Sequence, residues 1–265
     1  PFPTIMTGKG TQAVAAEGVG RVFSLMLPAL FGVSVAQINL LINTILASFL
    51  VTGSVSWLYY SDRLMEFPLG VFGIALATVI LPQLSKQIAE SAIEEYRQTI
   101  DWALRLALVV VVPAAVALMA MAHPLILTLF QYGEFTVKDS RMAARSLIAF
   151  SPGLIGFVLV KVLAPAFYAR KDTRTPVRAG VIAMVVNGLC AATLILVVPL
   201  GHVGLAAATS ISGMVNAWLL YRYLVRDSGY TPGPGLGGFA AKTAAAAIVM
   251  GVVLWFGVPK PQFWV

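Results

Sequence analysis

The chain has 265 residues, 18 of them Lys or Arg and 11 Asp or Glu, for a formal net charge of +7. Apolar residues make up 59%, charged residues only 11%, and the mean hydropathy is +0.87, where a soluble domain carries roughly 25% charged residues. This excludes a soluble enzyme and a basic nucleic-acid binder, and predicts a polytopic membrane protein whose positive balance collects in short loops.

Residues 1–22 carry Lys9, Gln12, Glu17 and Arg21 among small residues and predict a surface-lying or linking segment. Pro1 where a Met would initiate, with no signal-peptide pattern, predicts part of a longer protein. An apolar run over 24–50 predicts a first span, in which Gln37, Asn39 and Asn43 either bond across to other helices or line a cavity. After the turn Thr52-Gly53-Ser54 comes a second span over 57–82, then an aqueous amphipathic link with Lys86, Glu90, Glu94, Glu95 and Arg97. A third span is predicted over 101–121, with Arg105 one turn in and Pro113 at mid-depth. Residues 130–136 follow as an interfacial turn, suited by Tyr132, Gly133 and Phe135.

The fourth span covers 143–164, starting near Arg141 and Arg145 and ending near Lys161. The densest basic stretch, with Arg170, Lys171, Arg174 and Arg178, leads to a fifth span over 179–198 and a sixth over 204–224. A Gly/Pro-rich link at 231–235 precedes a seventh over 239–258. The domain reading is a linking segment 1–22, a six-helix lobe 23–228, and a linker with one further helix 229–265. Loops after the second, fourth and sixth spans are basic, while the turns after the first and fifth hold no Lys or Arg, so the basic loops are expected to be cytoplasmic. Lys138, Arg141 and Arg145, on the opposite side, are the exception. The run Gly204-Leu205-Ala206-Ala207-Ala208-Thr209-Ser210 predicts close helix approach.

Chemistry concentrates in the second span. Asp62, Arg63 and Glu66 lie inside or near the hydrocarbon layer, where an ionisable side chain costs at least about 2.5–3.5 kcal/mol unless it meets a partner or a water-filled cavity. Arg63 and Glu66 stand at i,i+3 and Asp62 and Glu66 at i,i+4, which predicts one polar stripe. Pro68 has no amide hydrogen for the Leu64 carbonyl and is expected to bend the helix just past the charges, a hinge beside a charged cavity that suits a transporter. The alternative is an ordinary span end, with Asp62 and Arg63 snorkelling to the headgroups and Glu66 paired to Arg63. The single Cys190 sits in an apolar run, which leaves no intramolecular disulfide and no cysteine metal site, and His123 and His202 read as interfacial. There is no phosphate-cradling glycine loop, metal-ligand cluster or Ser/His/Asp set. Without an ATP-binding module, transport would draw on an ion gradient, the membrane potential or the substrate's own gradient.

The stretch GSVSWLYYSDRLMEFP at 53–68, with LFQYGEFT at 129–136 and VKVLAPAFYARKDTRTPV at 160–177, resembles the MurJ/MviN family of lipid II flippases, within the superfamily of multidrug and oligosaccharidyl-lipid exporters. The resemblance covers nearly the whole chain but only the second half of that family's fold. It implies an all-α polytopic transmembrane helix bundle, the second lobe of a two-lobed alternating-access transporter. It also implies a multi-pass protein of the bacterial inner membrane that moves lipid II, an undecaprenyl-pyrophosphate-linked precursor, with no cofactor and no nucleic acid. The family's cationic cavity has its second-lobe arginine in this motif, which places substrate binding on Arg63 with Asp62 and Glu66 beside it. A guanidinium meets a pyrophosphate with permanently charged, bidentate donors.

The cavity arginines of the first lobe have no counterpart in this sequence. The family's last two helices form a groove toward the lipid tail, of which the run from Phe239 supplies one wall. Some members bind sodium through carboxylates in this lobe, whereas the first, fifth and sixth spans here hold no Asp or Glu, only Asn43, Asn187 and Asn216. A multidrug or cation exporter of the same superfamily would show an acidic cavity without a central Arg. A non-transporting scaffold would not explain a charged stripe beside a proline.

Overall fold

A computed structural model describes residues 37–227 and 230–257, and among these the chain forms helices and turns with no strand. The segment predicted over 1–22 and the start of the first span lie outside the described residues. The elements are α1 (Gln37–Ser48), α2 (Ser54–Pro68), a π-helical stretch (Leu69–Ile74), α3 (Ala75–Ala89), α4 (Ile93–Ala120), α5 (Ala122–Phe130), α6 (Val137–Ala169), α7 (Arg174–Leu196), α8 (His202–Asp227) and α9 (Leu236–Gly257). Counting α2 through α3 as one continuous run, six of the described helices are long and apolar enough to cross a membrane.

Local chemistry sets these boundaries. Gly53, at φ +101°, turns the chain into α2, and a Cβ there would lie 2.7 Å from the Trp57 ring, so only glycine fits. At the other end of α2 Pro68 withholds an amide hydrogen, and the helix widens at once into the π-helical stretch. α6 starts on a reciprocal cap: the Thr136 hydroxyl accepts from the Asp139 amide at 3.3 Å, and Asp139 Oδ2 accepts from the Thr136 amide at 2.9 Å.

The structure adds two features around the third span. The link at 86–97 is mostly helix, broken only at Glu90–Ala92, because Glu94 and Glu95 stand in the first turn of α4, where their charge favours a helix N-terminus. The helix that carries the span begins at Ile93, about two turns before Asp101. The chain beyond Met121 also does not run straight to the turn at 130–136. It forms the short helix α5, whose Pro124 sits in the first turn, where a missing amide hydrogen costs nothing.

α6 is the axis of the bundle, packing on α2, α3, α4, α5 and α8. Against α8 it comes to backbone distance, since a methyl at Gly156 would lie 2.5 Å from the Gly213 carbonyl carbon and one at Gly153 2.7 Å from Ser210 Cα. Ser210 Oγ lies 2.6 Å from the Ala149 carbonyl across the same seam. The shared core is aliphatic, with Ile80, Leu84, Ile100, Leu154, Val158, Leu163 and Leu220 all buried. Large apolar side chains also face outward: Phe49, Leu196 and Phe256 are each at least 80% exposed, as on a lipid-facing surface.

α9 is the outlying element. Among the described residues it packs on α4 and is otherwise open. Its linker is moored to Asp101 of α4, whose carboxylate accepts from the Gly233 amide at 3.0 Å, the Tyr230 hydroxyl at 3.3 Å and Arg105 Nε at 2.6 Å. Arg105 also donates to the Pro234 carbonyl at 3.0 Å and lies 5.4 Å from the Phe239 ring centroid. Burial and the nearby Asp101 charge push the Tyr230 phenol well above its ordinary value, so it stays a donor.

Candidate functional site

The candidate site is the exposed face of α2. Two contacts with α6 fix the helix: Trp57 Nε1 donates to Asp139 Oδ1 at 2.8 Å, and Ser61 Oγ lies 2.7 Å from the Ala143 carbonyl. Tyr60 packs between Phe130 and Phe135 at 4.9 and 4.8 Å, and the Trp57 ring meets His202 edge-on at 4.8 Å. The motifs at 53–68 and 129–136, far apart in the chain, therefore form one assembly at the same end of the bundle. With its inner face held, α2 presents Tyr59, Arg63 and Glu66 outward.

Arg63 Nη1 donates to Glu66 Oε2 at 2.6 Å, and the guanidinium lies 4.8 Å from the Tyr59 ring centroid. Their side chains are 53% and 48% exposed, so the pair is orientated by its neighbours but still open to a ligand. Asp62 lies close enough to feel the charges of both Glu66 and Arg63 but is not part of their bonded pair. It is half-buried, and it neither accepts a hydrogen bond nor pairs with a cation among the described residues. At 100° per residue its side chain takes a different heading from Arg63, and at i,i+4 from Glu66 it meets a like charge.

The π-helical stretch lies directly beyond Pro68, about 10 Å along the helix from Arg63. There the Lys161 side chain of α6 passes the backbone: a Cβ at Gly73 would lie 3.5 Å from Lys161 Cγ. Lys161 is exposed, and no hydrogen bond or ion pair engages it among the described residues. The sequence reading marked it only as a span end, although a lone Lys inside an apolar run was the signal available.

Elsewhere in the lobe, Asn43 Nδ2 of α1 and Asn187 Nδ2 of α7 reach Thr209 Oγ1 of α8 at 3.2 and 3.3 Å. Asn43 thus bonds across to other helices. Among the described residues, no three of His, Cys, Asp and Glu gather as a metal would require.

These features define a class first: a multi-pass helical membrane protein whose fold is shared with multidrug exporters. It aligns with an outward-facing multidrug resistance transporter of the MATE family of the MOP superfamily at TM-score 0.65 and 18% identity, covering 88% of this chain and 53% of that one. Within that class, the model of the family described as lipid II flippase MurJ matches residues 4–265, and the chain belongs to that family. It is 49% identical over 255 residues to a probable lipid II flippase MurJ of Haemophilus influenzae, covering 94% of this chain and 49% of the relative. A solved lipid II flippase MurJ in an inward closed conformation aligns at TM-score 0.78 and 26% identity, covering 94% of this chain and 51% of that one. The chain thus spans about half the length of the relatives it matches.

Proposed function

We propose that the chain is one lobe of a flippase that carries lipid II across the bacterial inner membrane by alternating access, the cavity being completed by a first lobe. The observation that carries this reading is Arg63, held by Glu66 and Tyr59 yet half-open to a ligand, on the exposed face of a membrane helix. A permanently charged fork at that depth is stabilised by an anion, and the pyrophosphate linking lipid to sugar supplies one. Glu66 holds Arg63 between turnovers and yields to substrate. Lys161 adds a second cation beside the π-helical stretch, and Pro68 marks the hinge about which the two halves of the α2–α3 run change angle. Asp62 acts on the field at Arg63 without touching it.

The test is flipping of labelled lipid II by the intact protein in vesicles, with a cationic drug as second substrate. Lipid II flipping that is lost in Arg63→Ala, at normal membrane abundance, supports the reading. Drug transport that persists in Arg63→Ala, with no lipid II flipping by the unsubstituted protein, would favour the multidrug exporter.

A further inference from the structure

The basic residues that broke the positive-inside pattern form a surface of their own. α6 begins at Val137, and Lys138, Arg141 and Arg145 follow at i, i+3 and i+7, within an arc of roughly 60°. All three are exposed, and none donates a hydrogen bond or makes an ion pair among the described residues. The acids at this end are otherwise engaged or out of reach. Asp139 is bonded to Trp57 and Thr136 and feels the neighbouring Lys138 charge without an ion pair, and Glu134, exposed on the preceding turn, pairs with none of the three. From Arg145 the same face runs on as Ile148, exposed, then Pro152 and Ile155, half-buried. Cations above an apolar strip is the vertical order of a phospholipid, headgroup phosphate over acyl chain.

We propose that this face of α6 binds the phosphodiester headgroup of an anionic phospholipid, in the leaflet opposite the 170–178 loop. Arg141 and Arg145 supply planar forks for the phosphate oxygens, and Lys138 supplies a point charge at the rim. Ile148 lies along the acyl chain. The site is separate from Arg63, so it stands or falls independently of the substrate proposed above. It also gives these three residues a reason to sit where insertion does not favour basic side chains.

The intact protein, purified in detergent, is titrated with phosphatidylglycerol and with phosphatidylcholine, and lipid-bound species are counted by native mass spectrometry. The expected result is a loss of at least ~10-fold in phosphatidylglycerol affinity when Lys138→Gln, Arg141→Gln and Arg145→Gln are combined. Phosphatidylcholine binding is expected to be unaltered. Removing equal charge at the other end, with Lys171→Gln, Arg174→Gln and Arg178→Gln, is expected to leave the site intact, and millimolar inorganic phosphate is expected not to displace the lipid. The double variant Arg141→Lys and Arg145→Lys keeps the charge at exposed positions and is expected to fold and to show an intermediate affinity. Equal affinity in the triple Gln variant, an equal loss in the opposite-end variant, or full displacement by free phosphate overturns the proposal.

Discussion

At Arg63 the discriminating substitution is lysine. A pyrophosphate read by a fixed fork is poorly read by a point charge, so Arg63→Lys is expected to fall well short of restoring what Arg63→Ala abolishes. Growth on the variant as sole flippase measures this, and full growth with Lys would leave Arg63 as a snorkelling anchor. Glu66→Gln is expected to be milder than Glu66→Ala, because the amide oxygen still accepts one bond across the 2.6 Å contact from Arg63. His123 offers a separate test. Burial and the Arg141 charge hold its imidazole below the usual 6.5, and neither ring nitrogen has a hydrogen-bond partner among the described residues. Below pH 6.5 the unfolded chain takes up that proton before the folded one does, so stability falls as pH drops through 6.5 toward the lower folded value. The thermal midpoint in detergent should therefore fall less on acidification in His123→Gln than in the unsubstituted protein.

Among the elements, the α6–α8 seam and the π-helical stretch carry the sharpest expectations. Gly156→Val places a branched side chain against the Gly213 backbone and is expected to cost about 1–3 kcal/mol or more, read as a lower thermal midpoint and lower membrane abundance. The π-helical stretch behaves as one extra residue in the α2–α3 run, so deleting Gly70 should let a plain α-helix form. Circular dichroism would then keep its helical signal while flipping is lost. Hydropathy alone located the six described spans, and the i,i+3 spacing of Arg63 and Glu66 anticipated their ion pair, because both are local properties of the chain. Contacts across long stretches were not legible: Trp57 with Asp139 lies 82 residues apart, and nothing near Trp57 names its partner. Nor did spacing show that Asp62 is half-buried and outside the bonded pair, since that depends on which α2 face α6 covers.

For the whole molecule, topology can be tested directly. A cysteine at the exposed Arg174 is expected to react only from the cytoplasmic side and one at Thr52 only from outside, read with an impermeant thiol reagent in intact cells. Thr52 serves better than Gly53, where any side chain meets both a left-handed backbone and the Trp57 ring. Labelling of Arg174→Cys from outside would invert the whole lobe. The mooring of α9 also has a mechanical meaning. Because that helix leans mainly on α4 among the described residues, a tether pulling from its far end peels it away without disturbing the α6 axis. The force is then taken up by α4 at Asp101 and Arg105, whose bonds to Tyr230, Gly233 and Pro234 must be stripped before the load passes along the chain to α8, so the pair works as a clasp that lets the arm swing while its root stays fixed.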